Sequence, residues 1–277
     1  MPDTSMKVQI WGARGSIPCP GSGTLHYGGN TSCVEVVCGE HTLVFDAGSG
    51  LRMLGNAMMQ HKRTADIDLF FSHFHIDHVI GLPFFAPAFE KGSRCRLWAG
   101  NVEAAGGIKE TIRKLMSYPL FPIEIEMAQG AFAFNDFEPG DTLKPQPGIT
   151  VRTTELNHPG GAIGYRVEYQ GRAMAYITDT ELNDSATDAQ LVSLVQDAAL
   201  MIIDATYTDE ELPQHVGWGH SSWQQAVRLA DMAKVETLCL FHHDPEHDDA
   251  MMDRIAKDVD KARPGTIVAR EGMTFKI

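Results

Sequence analysis

The sequence predicts an α+β protein in which two packed β-sheets are covered by helices, a four-layer arrangement. Strand-like segments that resemble antiparallel pairs occur in both halves of the chain, and helix-like segments lie between or after them. No linker, low-complexity tract or short-period repeat interrupts the 277 residues. We therefore expect one domain that spans residues 1–277 and buries a sizeable core.

The first half of the chain alternates between apolar strands and glycine-rich loops. Its predicted strands are Lys7–Trp11, Ser32–Val37, Thr42–Phe45, Ile67–Phe71 and Cys95–Ala99. An apolar helix is predicted through Leu51, Leu54 and Met58. A second helix is predicted over Val102–Met116, where Gly106 and Gly107 weaken it.

The second half of the chain has longer runs of strand and helix. Its predicted strands are Ile149–Leu156, Gly164–Tyr169, Arg172–Ile177, Leu200–Ile203, Glu236–Phe241, Thr266–Ala269 and Thr274–Lys276. Three helices are predicted in this half. The first is Asp188–Ala198 and the last is Glu246–Ala262. The middle helix begins at a capping box formed by Ser221 and Gln224 and runs to about Ala233.

Composition narrows the class of partner. The formal net charge of −13 makes a long nucleic acid an unfavourable partner, although a small phosphate ester remains compatible. The chain has no 18-residue apolar run and no basic-then-apolar start, so we expect neither a membrane span nor a signal peptide. Its five cysteines show no CxxC spacing, which favours a reducing, cytoplasmic location; a homodimer is compatible with these features.

The stretch SHFHIDH, from Ser72 to His78, is the densest group of metal ligands in the chain. It contains His73, His75, Asp77 and His78 directly after a predicted buried strand. Imidazole favours zinc and similar ions, and a carboxylate also suits harder divalent ions. The stretch therefore predicts a metal site.

Further ligand-type residues recur at the ends of predicted strands, namely His158, Asp179, Asp204 and His242. Strand ends on one edge of a sheet sandwich lie in one region of space, so we expect these side chains to join the first group. Five His and two Asp suffice for two metal ions with one shared carboxylate. Either His242 or its neighbour His243 could point inward.

Two loops have open roles. In the loop Gly12–Asn30, Arg14 and Asn30 either bind an anion or only satisfy loop carbonyls. In the aromatic segment Ser117–Ile123, core packing is favoured over a role in the wall of a pocket.

These motifs together resemble the metallo-β-lactamase-fold hydrolases over nearly the whole chain. SHFHIDH matches the HxHxDH signature of that family, and the downstream order His, Asp, His completes it. The resemblance implies an αββα sandwich with two divalent ions, of which Zn²⁺ is the default and Mn²⁺ or Fe²⁺ an alternative. It implies that His73, His75 and His158 hold one ion, that Asp77, His78 and His242 hold the other, and that Asp179 bridges them.

Three segments are similar to the ribonuclease Z and phosphodiesterase branch, namely IIDATYTDE, GWGHSSWQQAVRLA and LCLFHHDP. This resemblance implies that Asp204, where the branch usually has Glu, orients His220 toward the scissile phosphate. The Gly- and Pro-rich arm of tRNA-processing members is absent, which argues against tRNA processing. The opening WGARGSIPCPG resembles a bacterial subgroup described as metal-dependent hydrolases or cyclic-nucleotide phosphodiesterase-like proteins.

The function predicted from these features is metal-dependent hydrolysis of a small phosphodiester, such as a cyclic nucleotide, by a metal-bridged hydroxide. Asp77 or Asp179 is expected to orient the nucleophile, and His220 to act at the leaving group. A lactonase or thioesterase on the same metal core is the nearest alternative. A ligand-binding or regulatory module without catalysis is the alternative from another class.

Overall fold

The computed structural model describes residues 5–62, 64–183 and 186–277, and its strands form two sheets. The strands are β1 (Met6–Gly12), β2 (Cys33–Cys38), β3 (His41–Phe45), β4 (Asp66–Phe71), β5 (Arg94–Ala99), β6 (Ala131–Asp136), β7 (Thr142–Leu143), β8 (Ile149–Leu156), β9 (Ala162–Tyr169), β10 (Arg172–Ile177), β11 (Leu200–Asp204), β12 (Thr237–Phe241), β13 (Ile267–Val268) and β14 (Thr274–Lys276). The first sheet has the order β14-β1-β2-β3-β4-β5-β6, and the second has the order β13-β12-β11-β10-β9-β8-β7. Each sheet has an antiparallel part and a parallel part.

Helices cover the outer face of each sheet. They are α1 (Gly50–Gln60), α2 (Ile76–Val79), α3 (Ile108–Leu115), α4 (Ala186–Val195), α5 (Trp223–Met232) and α6 (Asp249–Ala262). No helix in the described ranges is both long and apolar enough to span a bilayer.

Three hydrophobic clusters lie one behind another, as a four-layer sandwich requires. In the central cluster, Phe45 of the first sheet packs against Tyr176 of the second, and Phe70 packs against Tyr165. The outer clusters lie between each sheet and its helices, with Leu51 on one side and Ile255 on the other. The predicted fold class is therefore confirmed.

Strand β4 shows how the sequence specifies these layers. Ile67, Leu69 and Phe71 belong to the cluster on the helical side, whereas Phe70 belongs to the cluster between the sheets. Because side chains alternate along a strand, an apolar run of this kind is buried on both faces.

The sheet topology brings the candidate residues to one edge of the sandwich. Strands β3 and β4 are parallel neighbours, and β10, β11 and β12 are parallel neighbours in the other sheet. Strand β8 is antiparallel to β9, which is antiparallel to β10, so β8 and β10 run in the same direction. The residues that follow these strands consequently lie at the same edge.

Several sequence-based boundaries differ from the structure. The predicted helix Val102–Met116 is interrupted, because Gly106 and Gly107 take positive φ angles of 93° and 87° before α3 begins. Helix α5 is capped by Ser222 and Gln225, one residue later than the predicted pair. Strands β6 and β7 were missing from the prediction.

In the aromatic segment after α3, Phe121 packs against the outer core cluster of the first sheet, whereas Tyr118 and Leu120 do not pack into the core as predicted. Tyr118 is 92% exposed and Leu120 is 72% exposed. Phe121 is partly buried and contacts the exposed ring of Phe84 at a centroid distance of 5.6 Å. The segment folds as a surface turn, since the N–H groups of Leu120 and Phe121 both donate to the carbonyl of Ser117.

Candidate active site

Three histidines form the first group of candidate ligands. His73 and His75 follow β4, and His158 follows β8. One nitrogen from each ring lies within 4.8 Å of the other two. His158 Nε2 and His75 Nδ1 face each other at 3.0 Å. His75 is the exposed member, so the group is open to solvent on its side.

The second group contains Asp77 and His78 of α2, Asp179 after β10 and His242 after β12, all of them buried. His78 Nε2 lies 3.1 Å from Asp77 Oδ2, and His242 Nε2 lies 3.3 Å from the same oxygen. The structure therefore brings the seven predicted ligands together from both sheets.

Asp179 lies between the two groups. Its Oδ2 is 3.6 Å from His73 Nε2 and 3.7 Å from His158 Nε2. Its Oδ1 is 3.3 Å from His78 Nε2 and 3.3 Å from His242 Nε2. Each carboxylate oxygen thus faces one group, which is the arrangement that a bridging ligand needs.

The first-sheet imidazoles are held so that one nitrogen of each faces the cluster. His78 Nδ1 donates to Asp46 Oδ2 at 2.8 Å, and His73 Nδ1 lies 3.0 Å from Ser72 Oγ. The opposite nitrogens, His73 Nε2 and His78 Nε2, are buried and make no hydrogen bond of normal geometry; their nearest polar neighbours are the acidic ligands Asp179 and Asp77. A buried imidazole nitrogen without a partner is costly unless it binds a ligand.

The second-sheet imidazoles are held in the same way. His158 Nδ1 donates to the carbonyl of Gly219 at 2.9 Å, and His242 Nδ1 lies 3.1 Å from Thr206 Oγ1. A hydrogen bond at Nδ1 fixes the tautomer and leaves Nε2 as the ligand atom, as is usual for metal-binding histidine.

Sequence reasoning assigned no role to four residues that support the ligands, namely Ser16, Asp46, Thr206 and Gly219. The backbone N–H of Ser16 donates to Asp77 Oδ2 at 2.9 Å. Only Asp46 had a usable signal, because an acidic residue ends a buried strand there and is followed by Ala-Gly-Ser-Gly. The other three lie in loop segments that carry the family resemblance, but nothing in those segments indicates their contacts with the ligands.

The electrostatics of the cluster suit divalent cations. Burial raises the pKa of Asp77 and Asp179, but the facing histidines outweigh burial and hold both pKa values below the ordinary aspartate range. Burial lowers the pKa of His73 and of His158 below the ordinary histidine value. Ionised carboxylates and neutral imidazoles are the forms that bind metal. His78 differs, because burial lowers its pKa but Asp179, Asp77 and Asp46 outweigh burial and raise it, so metal binding there would displace a proton. The donor set and its unpartnered nitrogens therefore fit divalent metal ions.

Asp204 and His220 form a pair beside the ligands. His220 Nδ1 donates to Asp204 Oδ2 at 2.9 Å, so the shorter acidic side chain does reach the histidine. Asp204 also accepts from the N–H groups of Thr180 and Thr206. A ring nitrogen of His220 lies within 4.8 Å of ligand atoms from His158 and Asp179.

The pKa of His220 is raised to about 9. Burial alone would lower this pKa, but the Asp204 carboxylate outweighs burial. In the metal-free protein, this shift favours the protonated ring at neutral pH. Metal ions at the neighbouring ligands would oppose this shift, because like charges disfavour the protonated ring.

His243 lies outside the cluster. Its Nε2 donates to the carbonyl of Ala269 at 2.9 Å, and burial lowers its pKa to about 3. His242 takes the inward position with a φ angle of 60°, which turns the chain at the end of β12.

Arg14 and Asn30 form hydrogen bonds that connect loops of the structure. The buried Arg14 guanidinium donates to the carbonyls of Gly28, Asp244 and His247. Asn30 Nδ2 donates to Glu271. For Arg14 the structure agrees with the carbonyl-satisfying role rather than the anion-binding one.

Comparison with curated proteins finds similarity to ribonuclease Z. The ribonuclease Z of Haloarcula marismortui is 24% identical, over 99% of this chain and 97% of that protein.

Solved structures share the fold. The metallo-β-lactamase fold protein YhfI from Bacillus subtilis matches with a TM-score of 0.76 and 18% identity, over 99% of this chain and 100% of that one. Zn²⁺-bound PqqB from Methylobacterium extorquens matches with a TM-score of 0.74 and 17% identity, over 98% and 100%. A diphosphatase from the PhnP family matches with a TM-score of 0.71 and 15% identity, over 98% of each chain.

A family model described as the β-lactamase superfamily domain matches residues 41–243, a range that includes the cluster through His242. The chain therefore belongs to the β-lactamase superfamily, and the predicted class, a metal-dependent hydrolase with the metallo-β-lactamase fold, is confirmed.

Proposed function

We propose that the protein hydrolyses a small phosphodiester, such as a cyclic nucleotide, with the help of two divalent cations. The observation that carries this proposal is the Asp204–His220 pair, whose hydrogen bond is 2.9 Å long and which lies beside the ligand cluster. The names of the similar proteins, ribonuclease Z and a PhnP-family diphosphatase, support chemistry on phosphate esters.

In this proposal, one ion would be held by His73, His75 and His158, and the second by Asp77, His78 and His242. Asp179 would be shared between them, because its two oxygens face different groups. Zn²⁺ is the default ion, and Mn²⁺ or Fe²⁺ also suits a His and Asp set. When bound, such a pair of ions neutralises charge on the phosphate oxygens and lowers the pKa of water.

Two side chains of the protein would take part in the proton transfers, one at the attacking water and one at the leaving oxygen. Asp77 is ionised and buried, and it is positioned to accept a hydrogen bond from the attacking water. His220 has Nδ1 engaged by Asp204, so Nε2 is the nitrogen that can donate a proton to the leaving oxygen. Proton transfer by a positioned side chain contributes roughly 10²–10⁴-fold to a rate.

The alternatives differ in what they require of the site. A lactonase or thioesterase needs the metal ligands but does not require an Asp–His pair at the leaving group. A non-catalytic binding module would tolerate loss of ligands, whereas seven ligand-type side chains converge here. RNA is the second candidate substrate, because the similar curated protein is a ribonuclease Z.

The test compares hydrolysis of bis(4-nitrophenyl) phosphate, cyclic nucleotides, a precursor tRNA, a lactone and a thioester by metal-loaded protein. His220→Ala should reduce kcat on the phosphodiester about 100-fold or more, with unchanged metal content. His215→Ala is the matched control, because His215 lies in the same loop and stacks on Tyr207 but is not in the cluster. Turnover of only the lactone or thioester would contradict the proposal, and full activity of the His220 variant would remove its role as the acid.

A further inference from the structure

A groove leads away from the exposed side of the ligand cluster. A cavity of about 230 Å³ is lined by His73 and His75 together with Asn101, Gly160 and Gly161. It adjoins a cavity of about 650 Å³, since Asn101, Gly160 and Gly161 line both. A volume of this size suits the organic part of a small ligand.

Two glycines keep the passage between these cavities open. Gly160 and Gly161 have φ angles of 85° and 79°, which favour glycine. A Cβ at Gly161 would lie only 2.9 Å from Asn101 Nδ2, so a side chain there would narrow the passage. At its inner end the groove reaches His73 and His75, so it opens directly onto the metal-ligand cluster.

The outer cavity is acidic. It is lined by Glu103, Asp136, Glu138 and Glu155, and no Lys or Arg among the described residues lines either cavity. Asp136 caps α3 by accepting from the N–H of Ile108 at 2.8 Å, so the start of that helix is not free to bind phosphate. The other three carboxylates are exposed and make no hydrogen bond or ion pair in the described part of the chain.

These carboxylates do not form a further metal site. Among the described residues, the groups of ligand atoms close enough to hold an ion all lie in the active-site cluster or at Asp204 and His220. Dispersed carboxylates around a large cavity suit a bulky organic cation better than a bare metal ion, which needs converging ligands.

We propose that this groove binds the organic part of the substrate and that this part is cationic, so that the substrate is a phosphodiester of an amino or quaternary ammonium alcohol. The inference rests on the proposed phosphodiesterase function. The phosphate lies at the ligand cluster, and the cationic group extends past Asn101 to Glu138 and Glu155. A nucleic acid strand would instead place further phosphates against these carboxylates, which repel them.

The test uses two chromogenic phosphodiesters of the same shape. One is 4-nitrophenyl phosphocholine, and the other is 4-nitrophenyl 3,3-dimethylbutyl phosphate, in which carbon replaces the charged nitrogen. The wild type should prefer the choline ester by about tenfold in kcat/KM at low salt, and the preference should shrink at high salt.

The double variant Glu138→Gln/Glu155→Gln should lose this preference and keep its activity on the neutral ester. The matched control Glu40→Gln/Glu90→Gln removes two exposed carboxylates that line neither cavity, and it should retain the preference. Equal kcat/KM for the two esters in the wild type, or a preference that the double variant keeps, overturns the inference while leaving the phosphodiesterase function intact.

If neither ester is hydrolysed, the proposed function fails, and calorimetric binding of the same two esters to the metal-loaded protein still decides the inference. Tighter binding of the choline ester that the double variant loses supports a cation-binding groove. Equal binding of the two esters overturns it.

Discussion

Asp46→Asn isolates the contribution of one buried carboxylate to metal affinity. Asp46 Oδ1 accepts from the N–H of Ser72 at 2.7 Å, and Oδ2 accepts from His78 Nδ1 and from the hydroxyl of Tyr176, each at 2.8 Å. An asparagine amide must direct its NH₂ at one of these donors. If the NH₂ takes the Oδ2 position, His78 has to move its proton to Nε2, the nitrogen that faces the cluster.

The expected loss follows from that change of tautomer. Removal of a group that orients a metal-binding histidine typically costs 10–100-fold in metal affinity, or about 1.4–2.8 kcal/mol. The assay is a competition titration of metal-free protein with Zn²⁺ against a chromogenic chelator. One of the two binding steps should weaken by this factor.

The matched control is Asp68→Asn. Asp68 is also a buried carboxylate, and it accepts from Arg96, Trp98 and Gln146. Both substitutions should lower the free energy of unfolding, by about 1–3 kcal/mol, because each leaves buried donors poorly paired. Only Asp46→Asn should weaken Zn²⁺ binding. Wild-type affinity at both steps in a folded Asp46→Asn protein would refute the assigned role of Asp46.

Two further predictions concern the loop that supports His158 and the ionisation of Tyr27. Gly219→Ala should lower the amount of metal bound per chain, measured by elemental analysis, because the new Cβ would lie 2.2 Å from His158 Nδ1. The control is Gly217→Ala, which has a similar φ angle but no atom within 4 Å of its Cβ, and it should keep its full metal content. Equal metal content in both variants would contradict this. Burial and the Asp253 hydrogen bond raise the pKa of Tyr27 from 10.0 to about 12, so the unfolded chain releases this proton first as pH rises. The free energy of unfolding of the wild type should therefore fall relative to Tyr27→Phe between about pH 10 and 12, and parallel urea-denaturation curves across that range would disprove the assignment.

The sequence was most informative where ligands are dense. SHFHIDH specified a metal site by itself, and the ends of β8, β10 and β12 could be aligned with it because parallel strands finish at a common edge. The residues themselves left the His242–His243 choice open, and only the family resemblance favoured His242. Both side chains are buried, and the backbone turn at His242 is what separates them.

Other features could not be predicted from the sequence because they depend on single local contacts. In SSWQQ, each serine has a glutamine three residues later, so two capping boxes fit the pattern equally well, and only the structure selects Ser222. Thr206 and Gly219 act through one hydroxyl and one carbonyl, and neither group leaves a periodic trace in the sequence. Strand β6 carries the alternation Phe132, Phe134, but over six residues that are only partly buried or exposed, which makes its pattern weaker than that of the central strands.

The backbone at the ends of the strands limits which residues could replace the ligands during evolution. Asp46, Asp179 and His242 have φ angles of 61°, 51° and 60°. Asp, Asn and His enter this left-handed region more readily than other residues with a side chain, and β-branched residues are the least suited to it. Asp and His are also the residues that bind and orient divalent ions. The residues that the backbone tolerates at these positions are therefore largely the residues that can still bind or orient a metal ion. Sequence changes at these positions should consequently alter the metal preference more readily than they abolish metal binding.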